Sequence, residues 1–125
     1  MLELSTTARI HFEHPCNVGD LNAADPSVVA VCVGVPTSGE ILQLYLRIDA
    51  GNRIVETRFK AYGCGWMIAC GSLLTTRIQQ LTRSEIGKFR HHELVEYLHI
   101  PPEKLHCAVL AETAVKTALR DLVTR

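Results

Sequence analysis

The succession of apolar and polar positions divides the chain into a short leading segment, a strand-patterned middle and a helix-patterned second half. Residues 3 to 13 suit a short helix with Ser5, Thr6 or Thr7 near its start, and "HPCNVGD" stops it. Gly19, Asn22, Asp25 and Pro26 mark residues 17 to 27 as loop. From Val28 to Val35 the side chains are small or β-branched, which favours a strand. In "ILQLYLRID", Leu42, Leu44 and Leu46 share one parity and Ile41, Gln43, Tyr45 and Arg47 the other, the period of a half-buried strand. "AGN" at 50 to 52 supplies a hairpin turn. The strand after it, "RIVETRFKAY", sets Ile54 and Glu56 against Val55, Thr57 and Phe59.

The period then changes. Met67, Cys70, Leu74, Ile78 and Leu81 recur every three or four residues, the spacing of one helical face. Thr82 followed by Glu85 resembles a capping box for a short helix, and "HHELVEYL" predicts another, ended by Pro101 and Pro102. A final stripe runs through Leu105, Ala108, Ala111 or Glu112, Val115, Ala118 or Leu119 and Leu122, with Glu112 and Lys116 as an i,i+4 pair on its flank. The order helix, strand, strand, strand, helices predicts an α+β fold: a three-stranded antiparallel sheet whose buried face is covered by helices. A chain of 125 residues holds one core rather than two, so residues 1–125 are expected to form a single domain.

Three short stretches carry candidate chemistry. Cys64 lies between two glycines in "YGCG", where the strand pattern gives way to the helical one. Helix-start amides there favour a thiolate, and flanking glycines let a ligand approach; the bland alternative is a turn with a small buried side chain. His106 and Cys107 follow "IPPEK" near the start of the last helix, and imidazole and thiolate are suitable donors for zinc or iron. Glu40 stands at the lip of the compact loop "GVPTSGE".

The other candidates read as structural. Cys70 belongs to an apolar stripe and Cys32 to a valine-rich strand, so both are expected in the core, and Cys16 has no assigned role. His11, His14, His91, His92 and His99 lack partners at motif spacing. Trp66 is open to three readings: a shield over the site, an interface anchor or ordinary packing.

Charge and composition narrow the function. Thirteen basic and thirteen acidic residues cancel, which argues against a general nucleic-acid binder; Arg53, Arg58 and Lys60 are read as a wet surface. No apolar run reaches the roughly 20 residues that span a bilayer, and the N-terminus has no export pattern. A cytoplasmic location is expected, where the five cysteines are free thiols or metal ligands.

"FEHPCNVG" at 12 to 19, "GVPTSGE" at 34 to 40, "FKAYGCG" at 59 to 65 and "PPEKLHCAVLAETAVKTAL" at 101 to 119 together resemble the iron–sulfur cluster assembly scaffolds of the IscU and NifU N-terminal type, over almost the whole chain. The resemblance implies a three-stranded sheet packed on helices and three loops that meet to hold a [2Fe–2S] cluster or iron. It also implies sulfur received from a cysteine desulfurase and help from an Hsp70-type chaperone system. By that resemblance the ligand set is Cys64, Cys107, His106 and Glu40, with Ser38 where the family's first cluster cysteine falls. A serine hydroxyl is a harder donor than a thiolate and cannot accept a persulfide sulfur. Glu103 replaces an apolar residue of the family's chaperone-recognition stretch, so weaker chaperone binding is expected. After "GCG", the stretch beginning with Trp66 is bulkier than the family's, which would narrow or cover the site.

The leading expectation is therefore a non-enzymatic scaffold. The alternative is a divergent paralogue with a zinc-bound or empty site that regulates the desulfurase. An enzymatic reading, with Cys64 as nucleophile, His106 as base and Glu40 as orienting acid, lacks any oxyanion or substrate motif.

Overall fold

The computed structural model describes residues 3–35, 37 and 39–123, with nothing said of the side chains of Val35 and Val123. Helix α1 (Thr6–Glu13) starts at Ser5, whose hydroxyl accepts the Ala8 N–H at 3.1 Å. Strands β1 (Val28–Val35), β2 (Glu40–Ile48) and β3 (Ile54–Tyr62) follow as an antiparallel meander in the order β1-β2-β3. Then come α2 (Gly65–Ile78), α3 (Arg83–Ile86), α4 (His92–Leu98), a 3-10 turn at Pro102–Lys104, and α5 (Leu105–Val123). The expected α+β order is observed, including the reciprocal Thr82–Glu85 capping box. Among the described residues no helix is long and apolar enough to cross a membrane.

Leu42, Leu44 and Leu46 are fully buried, as their shared parity predicts. On β3 the parity slips: Ile54, Thr57 and Phe59 are the buried set, because the β2–β3 register shifts between Arg47 and Ile48 and a bulge re-aims the side chains. Helix α2 is buried on more sides than its stripe suggested, since Trp66, Ala69, Ser72, Leu73 and Thr75 join Met67, Cys70, Leu74 and Ile78 inside. Its buried hydroxyls, on Ser72 and Thr75, are satisfied within the protein. Ser72 Oγ accepts the Cys16 N–H at 2.9 Å and lies 2.7 Å from His11 Nδ1, so α1 is tied to α2. Burial, then Arg77, pushes the His11 imidazole below its ordinary pKa.

Two expectations are corrected. Cys32 is exposed, not core: with Ala30 and Gly34 it lies on the open side of β1, and Val29 and Val31 fill the inner face instead. Leu105 is 40% exposed, because it opens α5 where the helix clears the sheet. Cys70 is buried as expected. Arg58 and Lys60 pair with Glu56 and Asp20 at 3.1 and 2.9 Å, which disperses the basic cluster.

The two sheet edges differ. Beside β3, Phe59 N–H donates to the Asn17 carbonyl and Gly19 N–H to that of Phe59, both at 2.9 Å. Further along, Ile54 N–H donates to the Leu81 carbonyl and Gln80 N–H to that of Ile54. Asn17 and Gly19, read from the sequence as loop, thus cover that edge together with Gln80 and Leu81, which fall beyond the end of α2 at Ile78 rather than on its helical stripe.

Candidate functional site

Three turns meet at one end of the sheet. Glu40 opens β2, and its neighbour Ile41 pairs with Tyr62, the last residue of β3. Gly63 follows at φ +127°, and an alanine Cβ there would lie 2.6 Å from Glu40 Cγ. Glycine is therefore required both for the backbone turn and for room beside the acid. Cys64 then caps α2 with extended backbone; its carbonyl accepts the Met67 N–H at 3.0 Å, while its side chain takes no part in capping. That leaves the thiol free to face Glu40. The 3-10 turn begun by Pro102 delivers His106 and Cys107 in the first turn of α5.

Glu40 is the hub of the four side chains named from the sequence, in contact with Cys64, Cys107 and His106. Cys64 Sγ is 3.3 Å from Glu40 Oε1 and 3.8 Å from Cys107 Sγ. Cys107 Sγ is 3.8 Å from Glu40 Oε1, and His106 Nε2 is 2.8 Å from Glu40 Oε2. Potential ligand atoms of Glu40, His106 and Cys107 all fall within 4.8 Å of one another. Glu40 is 4% exposed and Cys107 wholly buried, whereas His106 reaches solvent. Burial pushes the Cys107 thiol well up, and the neighbouring Cys64, Cys70 and Glu40 add to the shift. A protein that buries this carboxylate among protonatable thiols and an imidazole has assembled mixed S, N and O donors suited to zinc or iron. Ser38 lies outside the described residues.

Sequence reasoning missed the surroundings of Cys64. A cleft of about 720 Å3 opens beside it, walled by Leu4, Phe12 and Trp66 and rimmed by Arg9 and Lys104. Phe12 lies one turn beyond the buried Ala8 on the same face of α1 yet stays 41% exposed where it lines this cleft. Trp66 is 2% exposed, so packing accounts for most of its surface, although its indole N–H has no hydrogen-bond partner among the described residues. Gly65 would bring a Cβ to 3.2 Å from the Phe12 ring, so the start of α2 sits directly against α1.

The chain is 42% identical over 111 residues to iron–sulfur cluster assembly protein 2 of Arabidopsis thaliana, covering 89% of this chain and 68% of that one. It is 40% identical over 111 residues to the iron–sulfur cluster assembly scaffold protein IscU of Haemophilus influenzae, covering 89% and 88%. In fold it resembles the N-terminal part of a nitrogen-fixing NifU-like protein from Brucella abortus, with a TM-score of 0.75, 15% identity, and coverage of 97% of this chain and 94% of that one. Residues 5–125 match the family described as the NifU-like N terminal domain, and the chain belongs to that family.

Proposed function

We propose that the protein is a carrier of iron–sulfur assembly that takes up iron, or a [2Fe–2S] cluster, as cargo on Cys64, Cys107, His106 and Glu40 and passes it on. As a member of a family of carriers, it is not an enzyme. The observation that carries the reading is the spacing of the donors before any ion arrives. Metal–sulfur bonds of about 2.3 Å in a tetrahedron separate two sulfurs by about 3.8 Å, and Cys64 and Cys107 stand 3.8 Å apart. Uptake displaces the thiol protons and the contact between His106 and Glu40, so the carboxylate and imidazole turn from each other to the ion.

The closeness of Glu40, His106 and Cys107, whose ligand atoms lie within 4.8 Å of one another, favours a second reading, in which one zinc ion sits among them and the protein regulates a cysteine desulfurase. A single ion needs its donors around one point, whereas a two-iron core divides its ligands between two metals. On the first reading the desulfurase is the sulfur donor, and the donor set opens as the cluster forms. Ser38 bears on both: a hydroxyl at the first-loop position makes a cluster more labile than a thiolate would. An Hsp70-type chaperone is a further partner of the first reading, weakened by the exposed Glu103.

Anaerobic reconstitution with iron and sulfide, with metal and sulfide analysis and visible absorption, tests the proposal on wild type beside Ser38→Cys. A coloured cluster that is longer-lived in Ser38→Cys supports the carrier reading and the role given to Ser38. Tightly held zinc that iron does not displace supports the second reading. Failure of Cys64→Ala and Cys107→Ala to weaken either metal removes both.

A further inference from the structure

Among the described residues, strand β1 is paired on one side only. The Ile48 N–H donates to the Ser27 carbonyl at 2.9 Å, which sets the ladder's parity: Val29, Val31 and Val33 turn their backbone groups to β2, and Ala30, Cys32 and Gly34 turn theirs outward. Val28 obeys the same parity, since its N–H leaves the sheet for the Asp25 carbonyl. Among the described residues no hydrogen bond meets the outward groups of Ala30, Cys32 and Gly34. All three residues are exposed. From 28 to 35 the strand reads "VVAVCVGV", without a charge or a proline. Edge strands that stay single normally carry such guards, and the opposite edge of this sheet is covered by chain.

We propose that β1 pairs with β1 of a second copy, antiparallel about a two-fold axis at Cys32, so that the two sheets become one. The strand complements itself in that register. Ala30 faces Gly34 of the second copy, Cys32 faces Cys32 of the second copy, and each outward N–H meets an outward carbonyl. The small side chains of Ala30, Cys32 and Gly34 let the backbones reach ladder distance. They carry no charge to repel a second copy and none to hold a charged segment of another protein, and the chain's formal net charge is zero. A ladder backed by few side chains gives a concentration-dependent equilibrium rather than a permanent dimer.

The register also makes a covalent readout available. Directly opposed hydrogen-bonded residues have Cα atoms about 5.5 Å apart, inside the roughly 4.4–6.8 Å that a disulfide spans. Diamide, taking two electrons and two protons from the paired thiols and itself reduced to the hydrazine, would join Cys32 to Cys32 of the second copy.

Sedimentation equilibrium of the full chain, reduced and with a chelator so that metal cannot bridge copies, reads the mass directly. The expected result is a rise toward twice the monomer mass with concentration, abolished in Ala30→Lys and Cys32→Lys and kept in Cys32→Ser. On wild type alone, amide exchange at Ala30, Cys32 and Gly34 should slow as concentration rises, and diamide should link Cys32 to Cys32 while exposed Cys16 stays unlinked. A monomer at every concentration, or a dimer whose Ala30, Cys32 and Gly34 amides exchange as fast as in dilute solution, overturns the proposal.

Discussion

Gly63→Ala perturbs the point where the sheet and the donor set share backbone. The residue sits at φ +127°, a region that L side chains rarely adopt, which costs about 1–3 kcal/mol. The added Cβ would also lie 2.6 Å from Glu40 Cγ and 3.2 Å from Glu40 Cα. The side-chain contact is relieved only if the carboxylate swings away from Cys64 and His106, and the backbone contact only if β2 yields by a few tenths of an ångström. With the overlap adding about 1 kcal/mol, the expected loss of stability is about 2–4 kcal/mol. For a chain of this length that lowers Tm by roughly 6–16 °C. Displacing the acid should weaken zinc or ferrous iron by about 10–100-fold. Thermal unfolding followed by circular dichroism and competition titration against a chromophoric chelator measure the two effects. Gly71→Ala is the matched control: its Cβ would fall within 2.5 Å of the Phe59 ring, so it destabilises the packing of α2 on β3 without touching Glu40. Metal affinities equal in the two variants would refute the claim that Gly63 holds the acid in place.

Other outcomes follow from the same contacts. Gly71→Ala itself should lose about 1–3 kcal/mol despite its gain in helix propensity, because the buried Phe59 ring has nowhere to go; an unchanged unfolding midpoint would contradict this. Glu112→Gln should cost about 1.5–3 kcal/mol, since Glu112 accepts the His91 N–H at 2.6 Å and pairs with Lys116 at 2.7 Å. Burial pulls the Glu112 carboxyl up, but the hydrogen bonds from Lys116 and His91 outweigh it and hold the pKa down to about 2. Its contribution is therefore complete above about pH 4.5 and lost as pH falls toward 2, and wild type and variant should converge in acid unfolding curves. The raised Cys107 thiol must give up its proton to a metal, so zinc affinity should climb with pH and binding should release protons to the buffer; a flat pH dependence would contradict this.

The sequence by itself carried the parts whose signals are local. The alternation of Leu42, Leu44 and Leu46, the Thr82–Glu85 cap and the change of period after Gly65 each depend on neighbours a few residues away, and each element formed as read. Cys64, His106, Cys107 and Glu40 were named because of the residue types in their turns and a family likeness, but no spacing along the chain puts Cys64 and Cys107 3.8 Å apart. That distance comes from packing α2 and α5 against one sheet. Tertiary structure alone also decided the face of β1 on which Cys32 stands, the bulge that buries Thr57, and the all-round burial of α2. These depend on which surfaces meet, and side-chain periodicity records that a face is apolar without recording what will cover it.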